Sequence, residues 1–294
     1  MTKAPAKKKK ISADGIYDLT MEEYHSDCCA GPSISSSGLR TIWRECPLEY
    51  WSFSYLNKDA FPGPDTQTFS FGRAAHCLLL GDEDFKARYA VRPDEFDSWR
   101  TKAAKEWMAA QIADKRTVLI PDQLVHISYM ARVLEKHPLV DTLLDGEIEK
   151  SLIWKDPETG IWLKSRPDII PAFDGTLNDY KTTTSIIRPY ELSRDIAKYG
   201  YFMQMALAEE GLVHLTDKKA LNSVLTFQMS KAPYHVAPVE LSAEYIALGH
   251  AYNRSSLRTL ADCLDKGEWP GYSAGIAVLQ PPDWMVADAE RTTV

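Results

Sequence analysis

Residues 161–182 restrict the possible folds of this chain more than any other stretch. They read Ile-Trp-Leu-Lys-Ser-Arg-Pro-Asp-Ile-Ile-Pro-Ala-Phe-Asp-Gly-Thr-Leu-Asn-Asp-Tyr-Lys-Thr, with apolar and β-branched residues on both sides of Asp174-Gly175. An Asp-Gly pair between such runs is a strong signal for a tight β-hairpin. A two-residue turn there sets Asp168 opposite Lys181 and Ile170 opposite Asp179. Strand side chains alternate between faces, so Arg166, Asp168, Asp179 and Lys181 then share one face. Such a face has two readings. One is an exposed cross-strand ion pair, which is common and weakly stabilising. The other is a divalent-cation site, whose hard oxygen ligands suit magnesium or manganese.

Composition narrows the classes of function. The 294 residues can bury a substantial core. No apolar run approaches the ~18 residues of a membrane span. The first ten residues carry five lysines with no apolar region behind them, which argues against a signal peptide. They read as a disordered basic tail able to add salt-dependent attraction to phosphate. The five cysteines, at 28, 29, 46, 77 and 263, form no CxxC pair. Zinc sites and disulfide frameworks are therefore not expected, and a reducing cytoplasm is. Net charge is −7, so a nucleic-acid partner would have to be held by local basic patches.

In chain order, Thr20-Met-Glu-Glu23 reads as a capping box opening a short helix. Ser33-Ile-Ser-Ser-Ser-Gly-Leu39 leads into an apolar pattern at Leu39, Ile42, Trp43 and Cys46, broken by Pro47. The hydroxyls of Ser35 and Ser36 suit a helix N-terminus, where they either cap the helix or help to hold a phosphate. Pro47 starts a second, aromatic-rich helix, and residues 57–67 read as a loop. Residues 69–80 form a mostly apolar helix containing His76, either a core histidine or a ligand. Residues 83–145 look mainly helical, with a short strand over 117–120. Glu147 to Lys155 reads as one strand. Pro189 to Gly211 reads as one long helix, 221–231 and 234–241 as strands, and Ser242 as the cap of a helix reaching Lys266. The C-terminal segment after Trp269 reads as irregular.

The sequence Pro167-Asp168 followed by Asp179-Tyr180-Lys181, set in a helix–three-strand–helix–strand order, resembles the PD-(D/E)xK nucleases. Further motifs narrow the likeness. Cys46-Pro-Leu-Glu-Tyr50, Gly72-Arg-Ala-Ala-His76, Asp179-Tyr-Lys-Thr182 and Tyr201-Phe-Met-Gln204 resemble RecB-like nucleases. Lys231-Ala-Pro-Tyr234 and Trp269-Pro-Gly-Tyr272 are similar to the RecE-type nuclease domain of exonuclease VIII, a likeness covering about residues 11–285.

The resemblance implies a restriction-endonuclease-like α/β fold, with a central mixed sheet, flanking helices and a helical elaboration over about 83–145. One nuclease domain over 11–294 would follow the basic tail. It implies that His76, Asp168 and Asp179, with the Tyr180 carbonyl, bind Mg²⁺ or, as a substitute, Mn²⁺. Lys181 would orient or activate water. Gln204 and Tyr201 would brace the site or touch substrate, and Arg73 and Arg166 would meet phosphate or pair with the carboxylates. The implied activity is an exodeoxyribonuclease that degrades linear double-stranded DNA from its ends, 5′ to 3′, leaving single strands for recombination. A homo-oligomeric ring, a tetramer by preference, and a RecT-type single-strand annealing partner come with it, in a cytoplasmic, phage-like setting without a membrane. Two alternatives are a RecB-like nuclease acting on single strands and a catalytically inactive DNA-binding scaffold. Two departures stand out. Ala208 occupies the place of the usual aromatic after Gln204, and the cysteines of iron–sulfur nucleases are absent, so no such cluster is expected.

Overall fold

The structure is a computed structural model describing residues 10–63, 74–77, 85–171, 175–216, 222–273, 275–276 and 278–292. Its strands in chain order are β1 (Gly15–Tyr17), β2 (Ser33–Ser35), β3 (Tyr89–Val91), β4 (Thr117–Leu119), β5 (Glu147–Ile148), β6 (Ser151–Lys155), β7 (Trp162–Ser165), β8 (Ile169–Ile170), β9 (Thr176–Thr183), β10 (Asn222–Met229) and β11 (Val236–Glu240). They form a sheet ordered β1-β6-β7-β2, a second ordered β11-β10-β9-β8-β5, and a two-stranded β3-β4 pair.

The stretch at 161–182 is split between the two large sheets. Pro167 has no N–H for a ladder, and the chain leaves the first sheet after Ser165 to enter the second at Ile169. The register also differs from the one a two-residue turn gives, because Ile169 pairs with Asn178. Residues 171–175 separate β8 from β9, and Asp174 itself lies outside the described residues. The pairing has slipped by two positions. An even slip keeps every side chain on its face, so Asp168 and Asp179 still share one.

β9 and β10 run parallel, which demands a crossover. It is made by two helices, Pro189–Tyr199 and Tyr201–Leu215, where the sequence pattern suggests one. Gly200 ends the first and caps the second at φ +65°, a conformation open to glycine at little cost. Helix Tyr201–Leu215 is buried along most of its length, packing against β6, β7 and helix Ala243–Lys266 through Met203, Leu207, Trp154, Leu257 and Leu260. At Gly249 the two helices approach so closely that a Cβ would sit 2.5 Å from the Phe202 carbonyl oxygen. Asn253 Nδ2 donates to the Met203 carbonyl at the same seam, 2.8 Å away.

Helix Ser36–Arg44 buries Leu39 and Ile42 in this core, and Pro47 opens the next helix, Pro47–Phe53. The Thr20 capping box forms as its sequence suggests. A second cluster joins Ala74, Ala75 and Cys77 to Tyr180, Leu119, Ile127 and Met130. It seats the helical residues 74–77 against the face of β9 opposite Asp179; the other residues of the expected 69–80 helix, apart from 74–77, lie outside the described residues.

Two further elements depart from expectation. Glu147 to Lys155 breaks into β5 and β6 at Glu149, whose φ is +54°. The C-terminal segment contains a helix, Asp283–Thr292. Of the ten-residue basic tail, residues 1–9 are outside the described residues, and Lys10 pairs with Asp27. Among the described residues no helix is long and apolar enough to cross a membrane.

Candidate active site

The site begins where β8 and β9 separate. Their ladder pairs at Ile169 and Asn178, so the Tyr180 N–H two residues on needs another acceptor. Asp168 supplies it: Tyr180 N donates to Asp168 Oδ2 at 2.6 Å. That bond holds the carboxylate at the end of the sheet and turns Oδ1 outward, 2.7 Å from His76 Nε2. The other ring nitrogen, His76 Nδ1, lies 3.1 Å from Glu149 Oε1. Glu149 Oε2 in turn accepts from Arg166 Nη2 at 2.8 Å.

Asp179 is a fully buried carboxylate. Gln204, one turn into its helix, donates Nε2 to Asp179 Oδ1 at 2.7 Å. Oδ2 meets the Lys181 ammonium without a well-angled hydrogen bond. Lys181 Nζ also lies 5.0 Å from the centre of the Tyr201 ring.

The electrostatics follow from this crowding. Burial raises the Asp179 pKa, the nearby Asp168 raises it further, and Lys181 opposes both, leaving it at about 6. Burial disfavours the His76 cation, but Asp168 and Glu149 outweigh it and hold the imidazole pKa up at about 10. Burial also works against ionised Glu149, yet hydrogen bonds from His76 and Arg166 bring its pKa down to about 2. For Lys181, the desolvation that favours the amine is overcome by Asp179 and Asp168, so its pKa is raised.

Among the described residues no three His, Cys, Asp or Glu side chains stand ready to ligate an ion as placed. The donors satisfy one another instead: a proton lies between His76 and Asp168, and an ammonium lies against Asp179. The donor set nonetheless fits a divalent cation. It offers an imidazole nitrogen and carboxylate oxygens, and an ion replacing the His76 proton would meet both. The side chains of His76, Asp168 and Glu149 keep 21%, 13% and 15% of their surface exposed, so an ion can reach them, whereas Asp179 keeps 1%.

The structure thus brings together His76, Asp168, Asp179, Tyr180, Lys181, Tyr201 and Gln204. Arg166 is not a free phosphate contact. Its guanidinium bonds Glu149 and the Leu19 carbonyl and is 9% exposed, so it pairs with Glu149 rather than with the Asp168 or Asp179 carboxylate. Arg73 lies outside the described residues. Ser35 does not cap its helix; its hydroxyl bonds that of Ser37 at 2.9 Å. Ser36 is buried, and its Oγ has no hydrogen-bond partner. Ala208 is buried in the core, where a larger aromatic would need new space.

Two residues escape a reading of the sequence. Glu149 looks like one exposed position of a strand, and only the break at its positive φ turns it to His76. Arg40 carries no role in the sequence pattern. In the fold its Nη1 reaches the Tyr199 carbonyl at 3.1 Å. Burial lowers its pKa while Tyr201 and Asp179, close by, oppose the shift. An arginine amid the apolar helix pattern was the one available signal.

The profile of a family described as a PDDEXK-like domain of unknown function (DUF3799) matches residues 35–282. The chain belongs to this PDDEXK-like family. The Asp168, Asp179 and Lys181 positions lie within the matched residues, as do His76 and Gln204. A crystal structure called a "putative exonuclease" from Eubacterium rectale superposes with a TM-score of 0.62 at 13% identity, covering 93% of this chain and 99% of that one. At that identity the likeness speaks for the fold, a restriction-endonuclease-like α/β core. No curated protein matches the sequence. In this PDDEXK-like chain, Asp168, Asp179 and Lys181 converge with His76 and Gln204.

Proposed function

We propose that the protein is a metal-dependent exodeoxyribonuclease that digests linear double-stranded DNA, 5′ to 3′. The observation that carries the reading is the convergence of Asp168, Asp179, Lys181, Gln204 and His76 from separate segments on one partly open site. A structural ion pair would need only two of them. A binding scaffold would gain nothing from carboxylates placed to repel phosphate.

Hydrolysis of a phosphodiester needs an oriented water and relief of the charge that builds on phosphorus oxygens. Magnesium, or manganese in its place, would be held by His76, Asp168 and Asp179 with the Tyr180 carbonyl; when bound it polarises the phosphate and acidifies water. The chain's own groups do the rest. Tyr180 N–H fixes Asp168, and Gln204 fixes one oxygen of Asp179. Lys181, held as a cation by both aspartates, orients the water and counters negative charge in the transition state. Glu149 aligns His76, and Arg166 aligns Glu149. Arg40, whose Nη1 bonds the Tyr199 carbonyl, adds a cation near Tyr201 and Asp179 for a strand phosphate, while Ser36 Oγ lies too deep to reach one.

The wider setting belongs to the same proposal: a cytoplasmic, ring-forming oligomer, a tetramer by preference, leaving single strands for a RecT-type annealing protein. A ring would let an acidic chain hold DNA, since basic side chains need only line its channel. The test is digestion of a blunt linear duplex labelled at its 5′ or 3′ ends, with and without magnesium. Magnesium-dependent release of 5′ label from duplex, with closed circles untouched, is the expected result. Digestion confined to single strands would replace the reading with a RecB-like one, and no digestion of any DNA would remove it.

A further inference from the structure

Lys164 on β7 is buried, 3% exposed, and among the described residues it has no carboxylate partner. Its ammonium donates to the Tyr24 carbonyl at 2.7 Å and the Ser26 carbonyl at 3.4 Å, and it lies 5.4 and 5.7 Å from the ring centres of Tyr24 and Tyr55. Carbonyls and ring faces solvate the charge without balancing it, and a buried unbalanced charge is costly. The nearby acid, Asp27, is half exposed and paired with Lys10 at 2.6 Å. The remaining ionisable neighbours are two adjacent thiols, Cys28 and Cys29.

These thiols form a built pair. Their sulfurs are 3.8 Å apart. Of the chain's five cysteines, Cys28 is the one that reaches solvent; Cys29, Cys46, Cys77 and Cys263 are buried. Cys29 packs with Ile153 and Trp162 beneath it. The hydrogen bond from Cys29, helped by Lys164 and opposed by burial and Asp27, lowers the Cys28 pKa to about 6. The Cys29 thiol is pushed up by the same contact, an asymmetry that favours the thiolate on the more exposed Cys28.

We propose that Cys28 is a site of covalent oxidation by hydroperoxides, with Cys29 as its resolving thiol. The Cys28 thiolate attacks the peroxide O–O bond, which breaks to give the sulfenic acid Cys28–SOH and, with one proton, water or an alcohol. The Cys29 thiol then displaces that hydroxyl as a second water, its proton leaving with it, and closes a Cys28–Cys29 disulfide. The dithiol is oxidised by two electrons and the hydroperoxide is reduced by two. A ring between adjacent residues is strained, so a dithiol reductant reopens it readily.

The test uses the full chain treated with low concentrations of hydrogen peroxide, then thiol counting and mass measurement of the tryptic peptide 11–40, which contains both cysteines. Two of five thiols should be lost together, that peptide should become about 2 Da lighter, and dithiothreitol should restore both. Cys28→Ser should resist the same dose. Cys29→Ala should stop at a Cys28 sulfenic acid that dimedone traps. Lys164→Met should slow alkylation of Cys28 by iodoacetamide about tenfold. Oxidation of Cys46, Cys77 or Cys263 ahead of the pair, or an unchanged 11–40 peptide in the wild-type chain, overturns the proposal. The wild-type experiment needs no variant to fold, and none of its readouts depends on nuclease activity.

Discussion

Asp179 and Lys181 lie two residues apart on β9, and each favours the other's charged form there, with Asp168 also supporting the Lys181 cation. Asp179→Asn should keep the Gln204 contact and the fold but lose nuclease activity by about 10³-fold or more. Lys181→Met should do the same. Equal activity in either variant on a labelled duplex, with unchanged thermal unfolding, would take both residues out of the chemistry. Gln204→Ala should cost less, about 10- to 100-fold, because it orients a carboxylate rather than acting on substrate. A different residue tests stability. Asp156 is buried and accepts from Thr159 N and Oγ1 and from Arg254 Nη1, each at 2.7 Å. Burial opposes its ionisation, but these donors prevail and depress its pKa. Its contribution is therefore complete above the unfolded value of about 3.9 and is lost as pH falls through the lower folded one. Asp156→Asn should destabilise the protein by about 2 kcal/mol at pH 7. In urea titrations the gap between variant and wild type should shrink below about pH 4.

At the scale of elements, the break at Gly200 decides where Gln204 points. With φ at +65° and a Cβ that would lie 3.1 Å from Arg40 Cδ, Gly200→Ala is strained in two ways. A stability loss of about 1 kcal/mol is expected, with a disproportionate fall in nuclease rate as Gln204 and Arg40 shift. A rate that falls no more than stability predicts would show the break to be structural only. Gly249→Ala acts through packing instead. Its methyl would meet backbone rather than a movable side chain, so a loss of about 1–3 kcal/mol, read from the unfolding midpoint, is expected. The break at Gly200 was invisible in the sequence because the apolar period runs through it unbroken. Glu149 was hidden for a related reason: its strand pattern continues past a residue that adopts a positive φ.

At the scale of the whole molecule, the proposed site depends on two sheets meeting where Pro167 passes from one to the other, and on a crossover that returns Gln204 to β9. DNA held by local cations on an acidic chain should bind with a steep salt dependence, steeper in a ring than in a single copy. Light scattering of the full chain, at several concentrations, should give an oligomer. A monomer at all of them would leave the acidic chain without the proposed channel.

The sequence by itself placed Asp168, Asp179 and Lys181 on one face, because period-2 alternation is local and an even slip of register preserves it. It also marked the capping box at Thr20, the helix break at Pro47 and the cap at Ser242, each set by side-chain chemistry within a few residues. Its motif likeness drew His76 and Gln204 to the same site without showing how they reach it. Only the tertiary structure decided that Tyr180 N–H holds Asp168, that Glu149 receives Arg166, and that Lys164 lies near two thiols. The last of these joins residues more than about 130 positions apart, and no periodicity in the chain encodes which distant groups a sheet edge or a buried charge will find.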